Sequence, residues 1–169
     1  LVCQRVPAAK CVLVGDGAMR PQIEAMLEAE GLRERVTLLG WRRDVASLLK
    51  AFDVFVLTSR WEGLPCAILE ARASRIPSVA TRVGGAAEAI VEGIQGTLCP
   101  VGDVRAMAGR VCQILGDERL RADLRNGPQE LPEEFTIQET VKQYQSLYTY
   151  LLHARRPAED MMKLQPNRL

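Results

Sequence analysis

Histidine is almost missing from this chain: its 169 residues hold one, His153, close to the C-terminus. That excludes a catalytic triad built on imidazole and a metal centre built from several imidazoles. Aromatic residues make up only 5% of the sequence, and 22 basic side chains nearly cancel 21 acidic ones. No basic stretch interleaved with aromatics is present, so nothing directs the chain to nucleic acid. The five cysteines, Cys3, Cys11, Cys66, Cys99 and Cys112, are odd in number, scattered and set mostly in apolar runs. They read as reduced, buried thiols of a cytosolic protein rather than a disulfide frame or a zinc site. No apolar run is long enough to span a bilayer, and no segment reads as a signal peptide.

What is present is a globular composition, 47% apolar and 25% charged. The length suits one domain with a substantial core. The chain opens on Leu1-Val-Cys-Gln-Arg-Val6, which reads as the last turn of a helix, with no initiator methionine. It is expected to be cut from a longer protein. Residues 1–152 are read as one Rossmann-like domain, incomplete at its start, and 153–169 as a polar tail. Arg155 and Arg156 in that tail leave a peripheral contact with the inner membrane face open, although a pair of charges is usually just solvated.

Short apolar runs alternate with helical spacing. Strands are expected at Cys11–Val14, Val36–Leu39, Val54–Leu57, Ser78–Thr81 and Gly96–Cys99. Between and after them, helices are expected over Arg20–Glu30, Pro65–Ser74, Ala86–Val91, Asp103–Leu115, Asp117–Arg125 and Thr136–Leu152. A further helix capped by Asp44 carries Val45, Leu48 and Leu49. Apolar strands without polar alternation, separated by helices, indicate a doubly wound α/β fold with a parallel sheet covered on both faces. Such folds bind ligands beyond the C-terminal ends of the strands. Gly15, Gly17, Gly40, Gly63, Gly84 and Gly85 all fall at those ends, which suggests one ligand lying along the edge.

The most informative stretch is Glu62-Gly-Leu-Pro-Cys-Ala-Ile-Leu-Glu70. The first carboxylate follows a strand, and the second lies inside the next helix. Gly63 permits a tight turn and close approach of a ligand, and Pro65 suits the first helical position. Helical side chains lean toward the N-terminus, which aims Glu70 back at the loop. The unpaired amides of the helix start suit an anion. Two carboxylates beside such a helix end fit a ligand carrying both hydroxyls and phosphates, such as a nucleotide sugar. In isolation the same carboxylates would read as ordinary solvated charges.

The ordered series Val14-Gly-Asp-Gly17, Leu39-Gly40, Asp53-Val-Phe-Val-Leu-Thr-Ser59, Glu62-Gly-Leu-Pro65, Glu70-Ala71, Pro77, Val83-Gly-Gly85 and Glu88 resembles the donor-binding half of retaining glycosyltransferases. The resemblance is to family 4, or group 1, enzymes of the GT-B fold, and it covers about residues 10–115. It implies two Rossmann-like domains, with the nucleotide-diphosphate sugar on the C-terminal one and the acceptor mainly on an N-terminal domain. By resemblance, Glu70 would bind the ribose hydroxyls and Glu62 would lie by the transferred sugar, as the catalytic candidate but not a nucleophile. The helix start at Gly63, Leu64 and Pro65 would meet the diphosphate or the sugar. Gly40 and Trp41 would line the base pocket, and Gly15, Asp16 and Gly17 would border the nucleotide. No cofactor and no metal are implied, and the long C-terminal helix would cross back onto the other domain. The chain is read as part of a cytoplasmic enzyme, as its scattered cysteines suggest.

Three positions depart from the family pattern. Its Gly-Arg and Lys for the donor phosphates would precede Leu1. Arg75 stands where glycine is usual, in a left-handed turn that ends a helix, and Arg82 stands where aspartate is common. These departures favour an alternative, a non-catalytic Rossmann-like module that binds a nucleotide sugar or a partner protein. A GT-B epimerase is a third reading, but it would bring histidines and a further carboxylate near the sugar.

Overall fold

The computed structural model describes residues 1–130 and 132–153. Two compact units are distinguished, Leu1–Glu130 and Leu131–Leu169. The tail arginines Arg155 and Arg156 lie outside the described residues. In the first unit the order is α1 (Val2–Arg5), β1 (Cys11–Val14), α2 (Arg20–Ala29), β2 (Val36–Gly40), α3 (Val45–Leu49), β3 (Phe55–Leu57), α4 (Cys66–Ala73), β4 (Ser78–Thr81), α5 (Ala86–Ala89), β5 (Gly96–Cys99), α6 (Val104–Gly116) and α7 (Glu118–Asn126). The second unit holds a 3-10 turn at Glu133–Phe135 and α8 (Ile137–His153).

All strand pairs are parallel, as the unalternating apolar runs require. They form two hydrogen-bonded ladders rather than one sheet: β1 with β2, and β3-β4-β5 in sequence order. No described strand joins the two ladders.

That arrangement corrects the expectation of strands covered on both faces. It holds for β4, whose residues are all buried. It fails for β1, where Leu13 is 41% and Val14 38% exposed. The buried cysteines need the same correction. Cys99 on β5 is buried, but Cys11 sits on the uncovered β1, and Cys66 opens α4 on its outer side; both are exposed. All five thiols are free.

The core gathers around β4. On one side Ile68, Ala80, Val83, Ala86, Ala89, Ile90 and Leu98 pack together. On the other, Val79 and Cys99 meet Met107, Val111 and Ile114 of α6 and Leu124 of α7. Ile68 and Val79 are fully buried. Burial of such a side chain contributes about 1.5–3 kcal/mol, which fixes α4 and α6 against the sheet.

Helix ends explain the remaining local details. Asp103 and Asp117 cap α6 and α7 by accepting from the amides of Ala106 and Leu120. Asp44 precedes α3 but makes no side-chain cap. Both its oxygens are held by the Arg42 guanidinium, at 2.7 and 2.6 Å, and this pairing holds its carboxyl below the usual range. Pro65 is the residue before α4, with extended backbone (ψ 99°), not the first helical residue. Its carbonyl already accepts from the Ile68 amide. After α4, Arg75 has φ 59° and is the one described non-glycine in the left-handed region. That is the strained turn expected where glycine is usual, at about 1–2 kcal/mol for a residue with a Cβ.

Candidate active site

The sequence-predicted residues fall into two groups at the C-terminal ends of the strands. The first lies beyond β1 and β2. The Gly15 amide donates to the Gly40 carbonyl at 2.8 Å, closing the ends of the two strands. Asp16 folds back, accepting from the Gly17 amide at 2.8 Å and from Arg20 Nη1 at 3.0 Å. Arg20 also donates to Glu24 along α2 at 3.1 Å. Trp41 projects from the end of β2 with 67% of its surface exposed. The Arg43 guanidinium lies 5.2 Å from its ring centroid, a cation–π contact on that exposed face.

The second group lies beyond β3 and β4 and is more tightly built. Glu62 is half-buried, and its Oε1 accepts from the Ser59 hydroxyl at 2.7 Å. Thr81, at the end of β4, donates to the Ser59 carbonyl at 2.5 Å. The Gly85 amide donates to the Gly63 carbonyl at 2.6 Å. The Glu62 loop is therefore clamped from below by the β4 turn. The amides of Cys66 and Ala67, in the first turn of α4, find no acceptor among the described residues. They are open donors at a helix N-terminus. Leu64 is exposed and Pro65 buried beside them. Glu70 is exposed further along α4, and its carboxylate makes no hydrogen bond or ion pair among the described residues. Within the described residues no hydrogen bond or ion pair joins the first group to the second.

Two parts of this arrangement escaped the sequence reading. The tight turn expected at Gly63 is not left-handed, and the space where its Cβ would stand is open. The constraint lies at Gly84, with φ 41°. A Cβ there would stand 1.9 Å from the Glu62 carbonyl oxygen, so glycine is required for the two loops to touch. The pair Gly84-Gly85 was legible as glycines of the ligand-facing edge and of the family series, but not as a close contact, because that contact depends on two loops meeting. Trp61, beside Glu62 and 82% exposed, was missed as well, although a large aromatic next to a clamped carboxylate is a visible signal.

Gly84→Ala should therefore force the loops apart. The left-handed backbone and the collision together should lower stability by about 2–3 kcal/mol, read as a lower urea midpoint at unchanged slope. A midpoint equal to wild type would mean the two loops are not held together.

The described residues contain no cluster of three or more His, Cys, Asp or Glu side chains that could hold a metal ion. None of their helices is long and apolar enough to cross a membrane. The arrangement can thus present hydrogen-bond acceptors to hydroxyls and amides to an anion.

Known proteins resemble this chain in sequence and fold. The model of the family "Glycosyl transferases group 1" matches residues 1–117. N-acetyl-alpha-D-glucosaminyl L-malate synthase of Bacillus anthracis is 37% identical over 141 residues, which are 83% of this chain and 37% of that protein. The Escherichia coli UDP-Gal:alpha-D-GlcNAc-diphosphoundecaprenol alpha-1,3-galactosyltransferase is 31% identical over 144 residues, 85% of this chain and 37% of that protein. Among solved structures, a mutant of S. aureus TarM in complex with fondaparinux, alpha-GlcNAc-glycerol and UDP superposes with a TM-score of 0.81. It is 25% identical, and the match covers 87% of this chain and 30% of that one. This chain spans little more than a third of the length of the two curated relatives. With a matching family model over most of its length and an α/β architecture that is part of the GT-B fold, the chain belongs to the group 1 glycosyltransferases.

Proposed function

We propose that this chain is the donor-binding part of a retaining glycosyltransferase that moves a sugar from a nucleotide-diphosphate sugar to an acceptor held mainly by another domain. The observation that carries the reading is the build of the second group. A carboxylate, Glu62, is fixed by Ser59 beside two open helix-start amides, and the unpaired carboxylate of Glu70 follows on the same helix. A nucleotide sugar offers what this set lacks: hydroxyl donors for the carboxylates and a diphosphate for the amides.

In this reading Glu70 accepts from the ribose hydroxyls, and Glu62 faces the transferred sugar. The amides at the start of α4 meet the diphosphate. Gly40 and Trp41 border the base, and Gly15, Asp16 and Gly17 the nucleotide. Cleavage of the sugar–phosphate bond puts positive charge on the sugar ring and added negative charge on the leaving diphosphate. Amides already aimed at that diphosphate stabilise its charge without reorganising. No metal is needed for this step. The proposed setting is cytoplasmic, with the acceptor reached in solution or at the inner membrane face. The names of the relatives support a uridine nucleotide as the donor carrier.

A non-catalytic binding module is the second reading, favoured by Arg75, by Arg82 and by the lack of the family's basic pair in this sequence. The Arg82 guanidinium, however, is directed to Glu92, 3.2 Å away, so it leaves the Glu62 loop free. The test of the main reading is Glu70→Gln in the intact protein. A hydrogen bond to a charged group is worth roughly 1.5–3 kcal/mol, so nucleoside diphosphate affinity should fall about tenfold or more. Unchanged affinity by calorimetry would put Glu70 outside the site.

A further inference from the structure

The inner face of α4 carries a charge that the donor reading does not use. Arg72 is 5% exposed and has no carboxylate within ion-pair range among the described residues. Burial lowers its pKa from the usual arginine value. Its guanidinium donates to three carbonyls: Nη1 to Ala89 at the end of α5 at 3.2 Å, Nε to Gln129 at 3.3 Å, and Nη2 to Glu130. Gln95, 3% exposed, donates through Nε2 to the carbonyl of Pro128 at 2.5 Å and accepts from the Val91 amide at 2.8 Å. Three successive carbonyls, of residues 128, 129 and 130, are thus each held by a buried side chain. The same three residues make no backbone–backbone hydrogen bond among the described residues. This is a strap seated by side chains alone, at the point where the chain leaves the unit Leu1–Glu130.

A buried guanidinium is costly unless its donors are satisfied. Here the strap supplies two of the three acceptors. Arg72 shares the last turn of α4 with Glu70, whose carbonyl accepts from the Ser74 amide that closes that turn. Two residues apart on a helix, the side chains lie on nearly opposite faces. Glu70 therefore meets the solvent side while Arg72 holds the turn from beneath.

We infer that Arg72 is a positioning residue: with Gln95 it latches residues 128–130, and the seated strap fixes the turn of α4 that presents Glu70, so nucleotide binding and strap seating favour one another. This inference rests on the proposed donor reading. The coupling is reciprocal, as any linkage must be. A ligand held by Glu70 tightens the strap, and release of the strap weakens the ligand.

The test uses the intact protein and a panel of UDP, GDP and ADP. In wild type, the nucleotide that binds tightest should slow hydrogen exchange at the bonded amides that frame the strap, Gly127 (to the Asp123 carbonyl) and Val91 (to the Gln95 side chain). Arg72→Met keeps the side chain's bulk and removes its donors. It should speed that exchange and weaken the nucleotide about fivefold. Arg72→Lys, which can reach fewer carbonyls, should fall between the two and serves if the methionine variant does not fold. The deciding measurement is a double-mutant cycle. If Arg72 acts through Glu70, Arg72→Met should cost almost no further affinity in a Glu70→Gln background, an outcome that general destabilisation would not produce. Additive losses, or nucleotide affinity unchanged while strap exchange rises, would overturn the coupling and leave the donor reading intact. Absence of nucleotide binding in wild type would overturn both.

Discussion

The 169-residue chain, purified alone and supplied with donor and acceptor, should transfer no sugar, whereas the intact protein should turn over. The expected difference is complete loss. Two features carry it. Each curated relative reported above is nearly three times as long as the matched region, and in the proposed reading the acceptor belongs to another domain. Positioning two reactants against each other supplies about 7–11 kcal/mol of a barrier's reduction, which a donor site without an acceptor site forfeits. Donor consumption measured with a radiolabelled sugar would decide this. Turnover by the chain alone at a rate near that of the intact protein would contradict it.

Glu62→Ala should separate the rate from nucleotide binding. Its carboxylate is held by Ser59 in a loop clamped by Thr81 and Gly85, so it is fixed before any ligand arrives. If it faces the transferred sugar, a bare nucleoside diphosphate never meets it, and affinity for that ligand should be unchanged. A contact made more strongly in the transition state acts on kcat. Loss of one prearranged electrostatic contact of this kind lowers kcat by about a hundredfold or more. Ser59→Ala should show the same pattern more weakly, because the carboxylate remains but loses its anchor. Diphosphate binding that collapses in Glu62→Ala while kcat stays normal would reverse the roles of Glu62 and Glu70.

Much of this was legible because local chemistry decides it. Parallel strands followed from apolar runs that do not alternate. The helix starts at Asp103 and Asp117 followed from capping side chains. The strain at Arg75 followed from a side chain standing where the turn wants none. The family followed from glycines and carboxylates in a fixed order. What stayed hidden depends on elements distant in sequence. Asp44 is a local exception: it caps nothing because Arg42, only two residues away, takes both its oxygens. The close contact that demands glycine lies at Gly84, not Gly63, because it is set by the approach of two loops. Arg72 reads as one more charge on a helix until residues 128–130 are seen beneath it. The separation of the strands into two ladders follows from pairing, which no run of residues encodes alone.

The central claim is that a nucleotide sugar lies against α4 with Glu70 at its ribose. Calorimetric titration of the intact protein with UDP, GDP and ADP, repeated with Glu70→Gln, tests it most directly. The account predicts one-to-one binding of at least one nucleotide and a loss of about tenfold or more in the variant. Binding of none of the three, or equal binding by wild type and variant, would contradict it.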